Sequence, residues 1–220
     1  MEGYLPAEEG RAALFAFALD SGKLARKLSP PGPAASHNFN DLAQDARGTL
    51  YLSDAVSGQI WRLAADATAL EELVPTGLAS PQGLVVAADG RTLFVADYSR
   101  GLWRVELPGG ALHAVAGPAD LVLAGIDGLV ADGRGGLVAI QNGVNPHRVV
   151  RLALDAAGTR VEAGQILAMG LAEMNEPTLA EVVGDQLFFV ANSQWGSFEQ
   201  GRIWPLDRLS EPIVLALALR

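Results

Sequence analysis

Gln82-Gly83-Leu84-Val85-Val86-Ala87-Ala88-Asp89-Gly90-Arg91-Thr92-Leu93-Phe94-Val95-Ala96-Asp97 is the stretch from which the rest of the chain can be read. Two apolar runs flank a polar turn, Ala88 to Arg91, in which Asp and Gly supply the positive-φ geometry of a β-hairpin. The layout recurs around Asn40-Asp41-Leu42, Asp127-Gly128-Leu129 and Pro177-Thr178-Leu179. Each leucine is followed, after a turn, by a second one that opens an apolar run: Leu50-Tyr51-Leu52, Leu137-Val138-Ala139 and Leu187-Phe188-Phe189. Third strands are expected at Ile60–Leu63, Leu102–Val105, Val149–Leu152 and Ile203–Leu206, and a fourth, as at Leu70–Val74, closes each unit.

The aligned starts at 40, 82, 127 and 177 are 42, 45 and 50 residues apart. That is the period of four-stranded propeller blades, not of helical repeats of about 34 residues. Ahead of the first full unit, Ala13–Leu19 and Lys23–Leu28 read as the third and fourth strands of a partial blade. The expected fold is therefore all-β, one β-propeller domain of about four and a half four-stranded blades. Its divisions fall at a partial blade 1–37 and blades at about 38–80, 81–122, 123–173 and 174–220. The stretch Ser29–Ala35, with three prolines, reads as an inter-blade loop. A ring of this size leaves a sheet edge open unless another chain or an unusual closure covers the gap, or the chain is an N-terminally shortened propeller.

Half of the 220 residues are hydrophobic and 19% are charged, enough for a large core. The net charge is −9 and the 16 Lys and Arg are scattered, so the counterion-release driving force for nucleic-acid binding has no source. No apolar run approaches the ~20 residues of a transmembrane helix, so no membrane partner is expected. The acidic start, Met1–Gly10, lacks the layout of a secretory signal; the compartment stays open, cytoplasmic as the chain stands and periplasmic if more sequence precedes it. Cysteine is absent, and the three histidines have no metal-ligand spacing.

Phe39-Asn40-Asp41, Ser80-Pro81-Gln82-Gly83-Leu84 and Ile126-Asp127-Gly128-Leu129 stand at the blade starts. They resemble the corresponding motifs of the senescence-marker-protein (regucalcin) and gluconolactonase family of six-bladed propellers. The resemblance covers nearly the whole chain, as that fold's last four blades and half of the one before. It implies a divalent cation in the central tunnel, Ca²⁺ first, with Mg²⁺, Mn²⁺ or Zn²⁺ as alternatives. By the same resemblance, Asp127 matches a metal-binding and catalytic Asp, and Asn40 matches an Asn of the substrate pocket. Gln82 stands where the family has a metal-binding Asn, keeping the amide oxygen one methylene further out. The family's first-blade Glu has no counterpart in this chain.

Beside that resemblance, equivalent positions of successive blades converge on one axis, so Asn40, Gln82 and Asp127 should approach one another at the tunnel mouth. All three offer oxygen, which suits a hard cation. Glu176, just ahead of the matching position in the fourth blade, is the candidate second carboxylate, and Trp195 is a candidate for the pocket rim. Against this stands a plainer role, in which these polar residues cap strand entrances and face tunnel water. Asp54 and Asp97 read as structural; Asn142 could reach the pocket but reads first as a turn residue, and His147, a candidate proton carrier, reads first as an exposed loop residue. Trp61, Trp103 and Trp204, at equivalent third-strand positions, read as inter-blade packing.

Two functions are open from the sequence. One is a metal-dependent hydrolase of the gluconolactonase type, opening a small-molecule substrate such as a sugar lactone. The other is a non-catalytic ligand- or protein-binding propeller of NHL-repeat type. The sequence leaves the oligomeric state undetermined.

Overall fold

An aspartate organises most of the hairpin turns that join inner strands. Asp45 Oδ1 accepts from the backbone N–H of Arg47 and Thr49, both at 2.9 Å, and Asp132 Oδ1 does the same for Arg134 and Gly136 at 2.7 and 2.8 Å. Glycines with φ of 85°, 65° and 74° (Gly48, Gly90, Gly133) complete these turns, where an L side chain would be strained.

The computed structural model describes residues 10–32, 36–199 and 202–219. Residues Met1–Glu9 of the acidic start and Pro33–Ala35 of the proline-rich stretch lie outside the described residues. Strands β1 (Leu14–Phe17) and β2 (Leu24–Leu28) form the expected two-stranded partial blade. The first full blade is β3 (Phe39–Gln44), β4 (Leu50–Asp54), β5 (Gln59–Leu63) and β6 (Glu71–Val74). The second is β7 (Pro81–Val86), β8 (Thr92–Asp97), β9 (Gly101–Glu106) and β10 (Ala111–Ala114). The third is β11 (Ile126–Ala131), β12 (Leu137–Gln141), β13 (Arg148–Leu154) and β14 (Val161–Met169). All are antiparallel meanders, and their four-strand sheets pair in chain order, as propeller blades require.

The fourth blade departs from the expected pattern. Its sheet is β15 (Ala180–Val183), β16 (Gln186–Val190) and β19 (Val214–Ala218), so the strand beside β16 is Val214–Ala218 and not Ile203–Leu206. Ile203 belongs instead to a short hairpin, β17 (Phe198–Glu199) with β18 (Arg202–Ile203), carried on an excursion between β16 and β19. Trp204 consequently does not repeat the packing of Trp61: it is 42% exposed, whereas Trp61 is 1% exposed. The sequence misled because Ile203-Trp204 copies the apolar pair Ile60-Trp61 without the strand partner that buries it.

The core lies between blades. Side chains of the first and second blades interleave around Ile60, Leu84, Leu93 and Val95, those of the second and third around Leu102, Ile126, Leu137 and Leu152, and those of the third and fourth around Ile140, Leu187 and Phe189. Leu14 and Leu28 of the partial blade pack on Leu52, Trp61 and Leu63 of the first. Each blade also buries a polar side chain at or just past the end of its second strand: Asp54, Asp97 and Gln141 as the last residues of β4, β8 and β12, and Asn192 two residues after β16. Asp54 accepts from Asn38 N at 2.9 Å, Asp97 from Ala79 N at 2.6 Å, and Asn192 Oδ1 from Ile213 N at 2.6 Å; Gln141 donates to Ala124 O at 2.7 Å. These groups tie the connecting segments to the sheets, the structural role expected of Asp54 and Asp97.

Candidate functional site

Each full blade begins with a β-bulge, and the bulged residues are the ones singled out in the sequence. Between β3 and β4 the register slips across Asn40 and Asp41; between β7 and β8 it slips across Gln82 and Gly83; between β11 and β12 it slips at Asp127. A bulge re-aims a side chain out of the regular in-and-out alternation. Asn40, Gln82 and Asp127 accordingly line a single cavity of about 730 Å³, together with Asp41, Thr178 and Trp195.

Glu176 does not line that cavity. It borders a smaller, adjoining one of about 490 Å³, which shares Gln82, Asp127 and Trp195 and also reaches Tyr98, Asn142 and His147. The five candidate residues thus come together around two connected hollows. Trp195 is 64% exposed between them.

Asp127 is held from two sides. Asn142 Nδ2 donates to its Oδ2 at 2.7 Å, Tyr98 Oη donates in turn to Asn142 Oδ1 at 2.9 Å, and the Thr178 hydroxyl adds a further bond. Burial raises the Asp127 carboxyl above its ordinary range; the bonds from Thr178 and Asn142 pull the other way, and the charge of Glu176 pushes it further up. Tyr98 is likewise raised, by burial first and then by Asp127 and Glu176. Asn142 therefore belongs to the site and is more than a turn residue. His147, expected to be exposed, is partly buried, with Nδ1 3.1 Å from Val144 O.

Glu176 and Gln194 are the non-glycine residues with positive φ among the described residues, both at 56°, and both border these cavities. Such strain persists where surrounding contacts enforce it, and it clusters at functional sites. Here the contacts are explicit: Glu176 Oε2 accepts from Gly196 N at 3.1 Å, and Glu176 O accepts from Ser193 Oγ at 2.7 Å. Gln194 exchanges two hydrogen bonds with the backbone of Ser210, at 2.9 and 2.8 Å.

The residue that sequence reasoning missed is Asp41. Aligned by repeat, it occupies the place of Gly83 and Gly128. Those glycines let neighbouring inner strands touch: a Cβ on Gly83 would lie 2.5 Å from Leu129 N, and one on Gly128 would lie 2.8 Å from Thr178 O. At Asp41 the same gap is bridged by a carboxylate, whose Oδ2 accepts from Leu84 N of the next blade at 3.2 Å. Burial pushes its pKa up to about 6 against the bonds from Leu42 and Leu84, with the charges of Asp127 and Glu181 adding to the rise. A carboxylate where the repeat calls for glycine was the available signal.

The donor set around Asp127 is all oxygen. Gln82 Nε2 is engaged by Ser80 Oγ at 2.9 Å, so the amide oxygen is the atom left for a ligand. Among the described residues no three His, Cys, Asp or Glu side chains gather as a metal site of their own. The carboxylates of Asp127 and Glu176 and the amide oxygen of Gln82 are donors of the type a hard divalent cation takes, its remaining positions going to water or substrate.

No family model matches the sequence, and no curated protein does so significantly. Solved structures do share its fold. The chain is similar to the calcium-binding protein regucalcin from Agrobacterium tumefaciens (20% identity, 84% of this chain on 66% of that one, TM-score 0.63). It is also similar to a gluconolactonase from Xanthomonas campestris (19%, 81% on 62%, TM-score 0.59) and to a chain of a nidogen–laminin complex (20%, 83% on 70%, TM-score 0.62). The chain thus covers about two thirds of each neighbour's length, and the likeness is one of fold, β-propellers of the regucalcin and gluconolactonase kind among them.

Proposed function

We propose that the cavity at the blade entrances hydrolyses a lactone or a related ester with the help of a divalent cation, Ca²⁺ first among candidates. The observation that carries this reading is the convergence of Asn40, Gln82 and Asp127 from three successive blades, with Glu176 from the fourth, on two adjoining cavities. Neighbours described as a calcium-binding protein and a gluconolactonase accord with it.

Asp127, Glu176 and the Gln82 amide oxygen would hold the cation, which supplies polarisation of the ester carbonyl and a lowered water pKa. The chain's own groups do the rest. Asn40 orients the substrate by its side-chain amide. Asp127, fixed by Asn142 and Thr178, accepts the proton released as water adds to the carbonyl. The carbonyl carbon gains an oxygen from water, the ring C–O bond breaks, and the leaving alkoxide takes back the proton. The alternative of a purely binding propeller rests on the absence of a third acidic or histidine ligand among the described residues and on the nidogen–laminin neighbour.

Hydrolysis of γ-butyrolactone and glucono-δ-lactone followed by pH-stat, with millimolar Ca²⁺ or with EDTA, separates the two. The hydrolase reading expects a rate above the spontaneous one that falls by about 100-fold or more in Asp127→Asn and in EDTA. A rate equal to the spontaneous one with every cation tried would leave the binding propeller.

A further inference from the structure

The two sides of the larger cavity differ in kind. Inner strands supply Asn40, Asp41, Gln82 and Asp127, whereas the excursion between β16 and β19 supplies the apolar Trp195, Phe198, Ile203 and Leu209 beside the polar Ser193, Gln194 and Ser197. Phe198 and Ile203 are paired across β17 and β18, and they are 43% and 48% exposed. In the first three blades the second and third strands are joined by short turns, such as Ala55–Gly58 and Tyr98–Arg100, so blade architecture does not require this apolar wall.

Hydrogen bonds tie the described part of this wall to its surroundings. Gln194 grips Ser210 through two hydrogen bonds, Gly196 N donates to Glu176, and Trp204 N donates to Ser197 O at 2.9 Å. A largely apolar surface facing a polar one, in a cavity of about 730 Å³, marks a site for a ligand with two unlike ends. A sugar lactone, which carries a hydroxyl on most of its carbons, would lay hydroxyls against the apolar side chains of Phe198 and Ile203, where desolvating them is costly. An alkyl or aryl group would instead cover that wall.

We infer that the site takes lactones or esters bearing an apolar substituent, with the reacting group toward Asn40 and Asp127 and the substituent against Phe198, Ile203 and Trp195. This refines the hydrolase reading above and rests on it for the chemistry, but not for the binding.

The test compares γ-decalactone, which carries a hexyl chain, with γ-butyrolactone and glucono-δ-lactone, by calorimetry for binding and by pH-stat for turnover. γ-Decalactone should bind at least about tenfold tighter than either of the others. The preference should disappear in Phe198→Ser/Ile203→Ser with the thermal midpoint kept. It should survive in Phe198→Leu, and also in Asp127→Asn, which loses turnover. γ-Decalactone bound with this preference but not hydrolysed would sink the hydrolase reading and leave the inference standing. Glucono-δ-lactone hydrolysed at equal or higher kcat/KM, with the double variant indistinguishable from wild type, would overturn the inference alone. A wild-type chain that binds no γ-decalactone overturns it as well.

Discussion

Asp41 shows how one residue can serve both the architecture and the site. Its carboxylate closes the gap between β3 and β7 by accepting from Leu84 N, and it also borders the cavity that holds Asp127. Its proton is bound more tightly in the folded state, with a pKa of about 6 against an ordinary 3.8. Its contribution to stability is therefore complete below pH 3.8 and is lost as pH rises through about 6. The whole loss is on the order of 3 kcal/mol, about 2 kcal/mol of it between pH 4.5 and pH 7. The turn residues Asp45 and Asp155 have carboxyls held low by hydrogen bonds, against opposing desolvation, so their contributions run the other way and fade as pH falls. Urea unfolding of wild type and Asp41→Asn at pH 4.5 and pH 7 isolates Asp41 through the double difference. Wild type should lose on the order of 2 kcal/mol more than the variant between the two values, and parallel behaviour would show that the carboxyl is not raised. Nothing in the composition pointed to this. The role came from the substitution of Asp for Gly at one repeat position and from burial, which a sequence does not display.

Elements were legible where the local chemistry was repeated. The Asp–Gly turns, the paired apolar runs and the third strands Ile60–Leu63, Leu102–Val105 and Val149–Leu152 all lie within strands where they were read. The excursion of the fourth blade was not legible, because Ile203-Trp204 has the composition of a strand and only pairing decides whether it is buried. Bulges were also invisible, although they are what turns Asn40, Gln82 and Asp127 toward one cavity. Close inter-blade approach at the second bulge gives a sharp expectation. Gly83→Ala, with ordinary backbone angles but only 2.5 Å between the new Cβ and Leu129 N, should cost about 2 to 4 kcal/mol and visibly lower the thermal midpoint. Gly109→Ala, whose Cβ would meet nothing within 4 Å, should change stability by no more than about 0.5 kcal/mol. Equal midpoints for the two variants would mean that β7 and β11 are further apart than described.

At the scale of the molecule, the repeat period carried the fold, and blade geometry carried the site, since positions 42 and 45 residues apart meet only because successive blades share an axis. Fold alone does not choose between a hydrolase and a binding module. The oxygen donors that gather around Asp127 make the choice testable without a known substrate. A cation bound by the folded chain alone, at a hundredfold its Kd, adds about 2.7 kcal/mol, which raises the midpoint of a chain this long by about 5 to 10 °C. The decisive measurement is thermal unfolding in EDTA and then in millimolar Ca²⁺, Mg²⁺, Mn²⁺ or Zn²⁺, for wild type and Asp127→Ala. A rise in wild type that vanishes in Asp127→Ala is the predicted result; no rise with any ion, or the same rise in both proteins, would contradict a cation site at Asp127.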